Sequence, residues 1–153
     1  MRVLVVEDEP LIAASVEWEL RDRGYDVVGP AASAAHAEDL AANLRPDLAL
    51  VDINLTGRGD GVRLARTLRR SGIPSIFVTG QVCEARENRD AAVALLAKPF
   101  PVESLDAVVR AAAALISGHA PKAAPACLEV FGAPRGGGSR SQGRPQLAGA
   151  EGR

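Results

Sequence analysis

Aromatic residues are scarce in this chain. One Trp, one Tyr and three Phe account for 3% of its 153 residues. A hydrophobic share of 47% must therefore be met by Ala, Val, Leu and Ile, which is enough for a real core. Cysteine is almost absent. Cys83 and Cys127 form no disulfide framework and lack metal-ligand spacing, which points to a reducing compartment. No apolar run approaches the roughly 18 residues that a membrane span needs. The opening Met1-Arg2-Val3-Leu4-Val5-Val6-Glu7 turns acidic too soon for a secretory leader. Neither sign of charge is in excess, with 18 basic and 19 acidic residues. The formal net charge is -1, so nothing global draws the chain to nucleic acid or to an anionic membrane. A soluble protein of the cytoplasm is the expectation, with no membrane contact and no direct DNA binding.

What is present changes character near Gly118. From there to Arg153, Gly and Pro supply twelve of thirty-six residues. That exceeds the roughly 25–30% typical of segments without fixed structure. The tail carries five basic and two acidic groups, a net of +3, against 13 and 17 in residues 1–117, a net of -4. Residues 1–117 are read as one domain and 118–153 as a flexible tail. Within the tail, Cys127-Leu128-Glu129-Val130-Phe131 is a short apolar patch with two readings, a docking segment or, the favoured one, collapsed but unstructured chain.

Residues 1–117 read as five strand–helix units. The strands are β1 (3–7), β2 (26–32), β3 (48–52), β4 (75–79) and β5 (93–97), mostly unbroken apolar runs. The first helix, α1, carries Pro10 in its first turn, an Ile12, Val16, Leu20 stripe, and Gly24 at its end. The second, α2, starts at a Ser33 cap and runs toward Leu44. The third, α3, follows the Gly-rich stretch Thr56–Gly61 and stops at Gly72. The fourth, α4 (82–91), has few apolar residues, and the fifth, α5 (102–117), has many. Strands buried on both faces and alternating with helices form a parallel sheet. In such a sheet, ligands bind beyond the carboxyl ends of the strands.

Those ends carry a consistent set of groups. Glu7-Asp8-Glu9 follows β1, Asp52 closes β3, Thr79-Gly80 closes β4, and Lys98-Pro99 follows β5. Each alone has a bland reading: an Asp as a loop or cap residue, an acidic run as a solvated turn, a Lys as a surface charge. Together they sit on one edge of one sheet. Carboxylates on adjacent strands, about 4.8 Å apart, need a proton or a cation. An acidic pocket with solvent access suits Mg²⁺, and a nearby Lys and Thr suit phosphoryl oxygens.

These segments resemble the response-regulator receiver family of two-component signalling over about residues 1–117. The matching text is Val3-Leu4-Val5-Val6-Glu7-Asp8-Glu9-Pro10, Leu50-Val51-Asp52-Ile53-Asn54-Leu55, Phe77-Val78-Thr79-Gly80 and Lys98-Pro99-Phe100. The resemblance implies a flavodoxin-like α/β fold with a five-stranded parallel sheet in the order 2-1-3-4-5. It implies that Asp52 is the phosphoacceptor, served by a sensor histidine kinase or a histidine phosphotransfer protein. It implies Mg²⁺ held by Asp8, Asp52 and the backbone carbonyl of Asn54, with Glu7 close by, and phosphoryl oxygens bound by Thr79 and Lys98. It also implies a cis Lys98–Pro99 bond, and a signalling face on α4–β5–α5 that serves a downstream protein or a homodimer. Activity beyond the chain's own phosphorylation and dephosphorylation is not expected. Two departures stand out. Leu95 occupies a position that is usually aromatic, and the loop after Asp52 lacks the usual Pro and is one residue longer. A Mg²⁺-dependent phosphohydrolase on a similar sheet, and a DNA-associated regulator using the basic tail, are the rival readings.

Overall fold

The computed structural model describes residues 1–55 and 60–132. Five parallel strands form the centre of the molecule: β1 (Arg2–Val6), β2 (Asp26–Ala31), β3 (Leu48–Val51), β4 (Ser75–Thr79) and β5 (Ala94–Ala97). They lie in the order β2-β1-β3-β4-β5, as expected. The helices are α1 (Pro10–Asp22), α2 (Ala34–Leu44), α3 (Asp60–Arg70), α4 (Val82–Glu87) and α5 (Leu105–Ile116). A short 3₁₀ turn, Val102–Ser104, leads into α5. This is the flavodoxin-like α/β arrangement.

Alternation along the strands divides the core in two. Val3, Val5, Leu48, Leu50, Ile76 and Leu96 face α1 and α5. Leu4, Val6, Ala49 and Val51 face α2 and α3, and Phe77 and Leu95 pack with Ala85 of α4. Period-two side-chain direction makes this inevitable once both sheet faces are covered. Leu95 is fully within this core. With an aliphatic side chain there, the α4 side of β5 carries no aromatic ring of its own.

The local signals behave as their chemistry predicts. The Ser33 hydroxyl accepts the His36 amide at 3.3 Å and caps α2. Gly24 and Gly72 take positive φ just beyond α1 and α3. The fourth helix is shorter than expected. It ends at Glu87 because Asn88 folds its side chain back onto the Glu84 carbonyl, and Ala91 and Ala92 are buried in the loop that follows. Trp18 stands 66% exposed on the solvent face of α1 with Leu11.

The sheet does not stop at five strands. A sixth, β6 (Leu128–Val130), pairs antiparallel with β5 through Leu96–Leu128, Leu95–Glu129 and Ala94–Val130. It lies in the segment expected to be unstructured. Composition averaged over 118–153 hid a short run whose apolar residues match the free edge of β5. Leu128 is buried against the α5 side of the core, and Phe131 packs on the α4 side. The rest of the expected tail, 133–153, and most of the loop expected at Thr56–Gly61 lie outside the described residues. No described helix is long and apolar enough to cross a membrane.

Candidate functional site

The site forms where β1, β3 and β5 end on the same edge. Because β1 and β3 are neighbours in register, with Val6 opposite Val51, Glu7 and Asp52 leave the sheet side by side. Both are 5% exposed. Asp8 follows at an intermediate depth. One carboxylate oxygen from each of the three lies within 4.8 Å of the others.

Lys98 arrives from the end of β5 and answers this charge. Its Nζ lies 2.6 Å from Glu7 Oε2 and 2.8 Å from Asp52 Oδ2. The Lys98–Pro99 bond is cis, as the resemblance implied. Backbone amides hold the remaining oxygens. The Glu9 amide donates to Glu7 Oε1 at 3.0 Å, and the Asn54 amide donates to Asp52 Oδ1 at 2.9 Å. Burial pushes the Glu7 carboxyl above its ordinary pKa, with Lys98 and the Glu9 amide pulling the other way. Burial also opposes the charge on Lys98, yet hydrogen bonds to Asp52 and Glu7 outweigh it, and its pKa rises. Thus Lys98 is firmly an ammonium.

Three carboxylates against one ammonium leave the cluster at -2 when all are ionised. The Asp8 carboxylate accepts no hydrogen bond from any described residue. An oxygen-only, partly exposed and under-neutralised cluster fits a hard divalent cation such as Mg²⁺. The donor set present, Glu7, Asp8 and Asp52, agrees with that chemistry.

Thr79 ends β4 next to Ala97, and its carbonyl accepts the Lys98 amide at 3.0 Å. Its side chain is fully buried, and its Oγ1 accepts the Gln81 amide at 3.0 Å. No described contact joins its hydroxyl to Asp52 or Lys98. Asn54 is exposed, and its described contact with the cluster is the amide bond to Asp52.

Sequence reasoning missed Gly61. This residue opens α3 directly against the end of β3. A Cβ there would collide with the Asp52 carbonyl oxygen and lie 2.6 Å from Ile53 Cα. Only glycine lets α3 approach the backbone that carries Asp52. In the sequence Gly61 is one of several glycines in a loop, and nothing local marks it.

The parallel sheet, its strand order and the acid–lysine cluster at its carboxyl edge define a flavodoxin-like α/β domain with an acidic site at the strand ends. Residues 3–110 match the model of the response regulator receiver domain, and the chain belongs to that family. It is 36% identical over 108 residues to the transcriptional regulatory protein PdtaR of Mycobacterium tuberculosis, covering 68% of this chain and 52% of that protein. The signal receiver domain of a modulated diguanylate cyclase from Desulfovibrio desulfuricans is 38% identical, with a TM-score of 0.62 over 69% of this chain and 86% of that one. The beryllofluoride-activated receiver domain of Klebsiella pneumoniae RstA superposes with a TM-score of 0.65 at 29% identity, covering 72% and 96%. The chain spans about half the length of the curated relatives it matches.

Proposed function

We propose that this receiver domain accepts a phosphoryl group on Asp52 from a phosphohistidine of a sensor kinase or phosphotransfer protein. The observation that carries the reading is the Lys98 ammonium shared between Glu7 and Asp52, with Asp8 beside them and without a partner among the described residues. An Asp52 oxygen attacks the phosphorus. The new O–P bond forms as the P–N bond breaks, and the imidazole leaves with its electron pair and takes a proton. Little covalent work is asked of the protein; position and charge neutralisation decide the rate. Lys98 is already within hydrogen-bond reach of the attacking carboxylate. The Asn54 amide fixes the other Asp52 oxygen, so one oxygen remains to attack.

Glu7, Asp8, Asp52 and the Asn54 carbonyl would hold Mg²⁺. The ion supplies charge neutralisation at the phosphoryl oxygens. Thr79 would give its hydroxyl to one of those oxygens after leaving the Gln81 amide. The chain catalyses only its own phosphorylation and dephosphorylation, acts in the cytoplasm, and signals through a downstream protein.

Acetyl phosphate with Mg²⁺ should label the wild-type protein with an acid-stable, base-labile acyl phosphate. Asp52→Asn should abolish the label. Full labelling of Asp52→Asn would remove the assignment. Continuous turnover of small phosphate esters would instead indicate a phosphohydrolase.

A further inference from the structure

The sixth strand is seated in a groove with its own side-chain selectivity. The floor is the edge of β5. Main-chain bonds run along it from the Ala97 amide to the Cys127 carbonyl and from the Phe131 amide to the Val93 carbonyl, at 3.4 and 2.9 Å. Alternation then sends side chains to two sides. Leu128 enters the core between the sheet and α5. Glu129 turns to α4, where Arg86 grips it with Nε and Nη2, each 2.9 Å or less from Oε2. That fork holds the Glu129 carboxyl below its usual pKa. Phe131, on the same side, packs into the core beneath the short α4, with the Arg89 guanidinium 5.5 Å from its ring centre. An extended chain is therefore read at three positions: aliphatic, then acidic, then aromatic two residues further on.

The occupant is lightly held. It makes a strand of three residues, and Val130 is 37% exposed. Between Ile116 and Leu128 the described chain has no helix or strand to tie it down. Its far end does not close the core. Phe131 and Gly132 border a solvent-open pocket of about 410 Å³, walled by Pro74 and Val93 and rimmed by Arg89 and Asp90.

We propose that the β5–α4 groove is a binding site for an extended protein segment of the pattern aliphatic–acidic–any–aromatic, and that residues 127–131 occupy it as a resident competitor. The partner is a protein that presents this pattern as an exposed strand. It adds to β5 by β-augmentation when the resident segment lifts. The inference does not rest on phosphorylation of Asp52.

The probe is a fluorescein-labelled peptide of the sequence from Pro125 to Gly132, titrated with the full chain under reducing conditions. Weakening the resident segment with Glu129→Lys and Phe131→Ala in the full chain should tighten peptide binding at least about tenfold relative to wild type. Adding Arg86→Glu to that chain should undo the gain, and a peptide carrying Glu129→Lys should restore it. Equal binding by wild-type and weakened chains, or indifference to Arg86→Glu, overturns the proposal. Hydrogen exchange on the wild type covers the case in which the weakened chain fails to fold. The Phe131 and Ala97 amides should exchange at least about 100-fold faster than those of Val5 and Leu50. Equal protection would make β6 a permanent part of the sheet and would equally overturn the proposal.

Discussion

Replacing Asp8 with Asn should stabilise the metal-free protein, which makes it the most direct probe of the charge balance at the site. The Asp8 carboxylate lies within 4.8 Å of both Glu7 and Asp52 and takes no hydrogen bond from a described residue. At an effective dielectric of 20, each repulsion amounts to about 3.5 kcal/mol. Two such terms set an upper bound near 7 kcal/mol, and partial exposure of Asp8 screens them severalfold. A gain of about 1–2 kcal/mol is expected, or roughly 4–8 °C in Tm. Asp52→Asn is different. It sheds comparable repulsions but also gives up its 2.8 Å contact with Lys98. That contact is an attraction of about 6 kcal/mol on the same scale, so the two nearly cancel. The assay is urea denaturation in EDTA and again in Mg²⁺. Wild type should gain about 2.7 kcal/mol when Mg²⁺ is at a hundred times its Kd. Asp8→Asn should be the more stable protein in EDTA and should lose most of the Mg²⁺ increment. An Asp8→Asn protein no more stable than wild type in EDTA, or one that keeps the full Mg²⁺ increment, refutes the reasoning.

Three other perturbations test separate parts of the structure. Gly61→Ala forces a methyl against the Asp52 carbonyl and should cost about 1–3 kcal/mol while impairing beryllofluoride binding; unchanged binding by fluorescence titration would clear Gly61 of any positioning role. Phe77 is fully buried between α3, α4 and the sheet, so Phe77→Ala should cost about 3–5 kcal/mol in urea denaturation. Tyr25 donates to Asp106 at 2.8 Å, and this bond, with Arg110, holds the Asp106 carboxyl below its ordinary pKa. A depressed carboxylate pKa stabilises the fold above the unfolded value of 3.8, and the contribution is lost as pH falls through the folded pKa. Tyr25→Phe should therefore lower Tm at pH 6 more than at pH 3, and an equal deficit at both would count against the linkage.

Much of this molecule could be read from residue order alone. Unbroken apolar runs such as Leu48–Val51 announce strands buried on both faces, and alternation with amphipathic helices dictates a parallel sheet. Once the sheet is parallel, every strand's carboxyl end lies on one edge. That is why residue order alone places Glu7, Asp8, Asp52 and Lys98 together. The motif residues also carry the family's spacing, so the expected strand order was confirmed by the structure.

Other features depend on contacts between segments distant in the chain. The length of α4 was set by Asn88 folding back on Glu84, a choice that helical periodicity cannot register. Gly61 matters because α3 lands on the backbone of Asp52, and a glycine's neighbours in space leave no trace in its neighbours in sequence. The sixth strand is the clearest case. Leu128, Glu129 and Phe131 sit in a Gly- and Pro-rich stretch whose composition argues against order. They become a strand only because β5 offers an unpaired edge, α5 and the floor of α4 offer apolar cover, and Arg86 offers a fork for one carboxylate. Local propensity settles which segments form a parallel sheet and where its chemistry lies. Whether a marginal segment joins that sheet is settled by the partners that the fold brings to it, because a lone short strand buries too little to order itself.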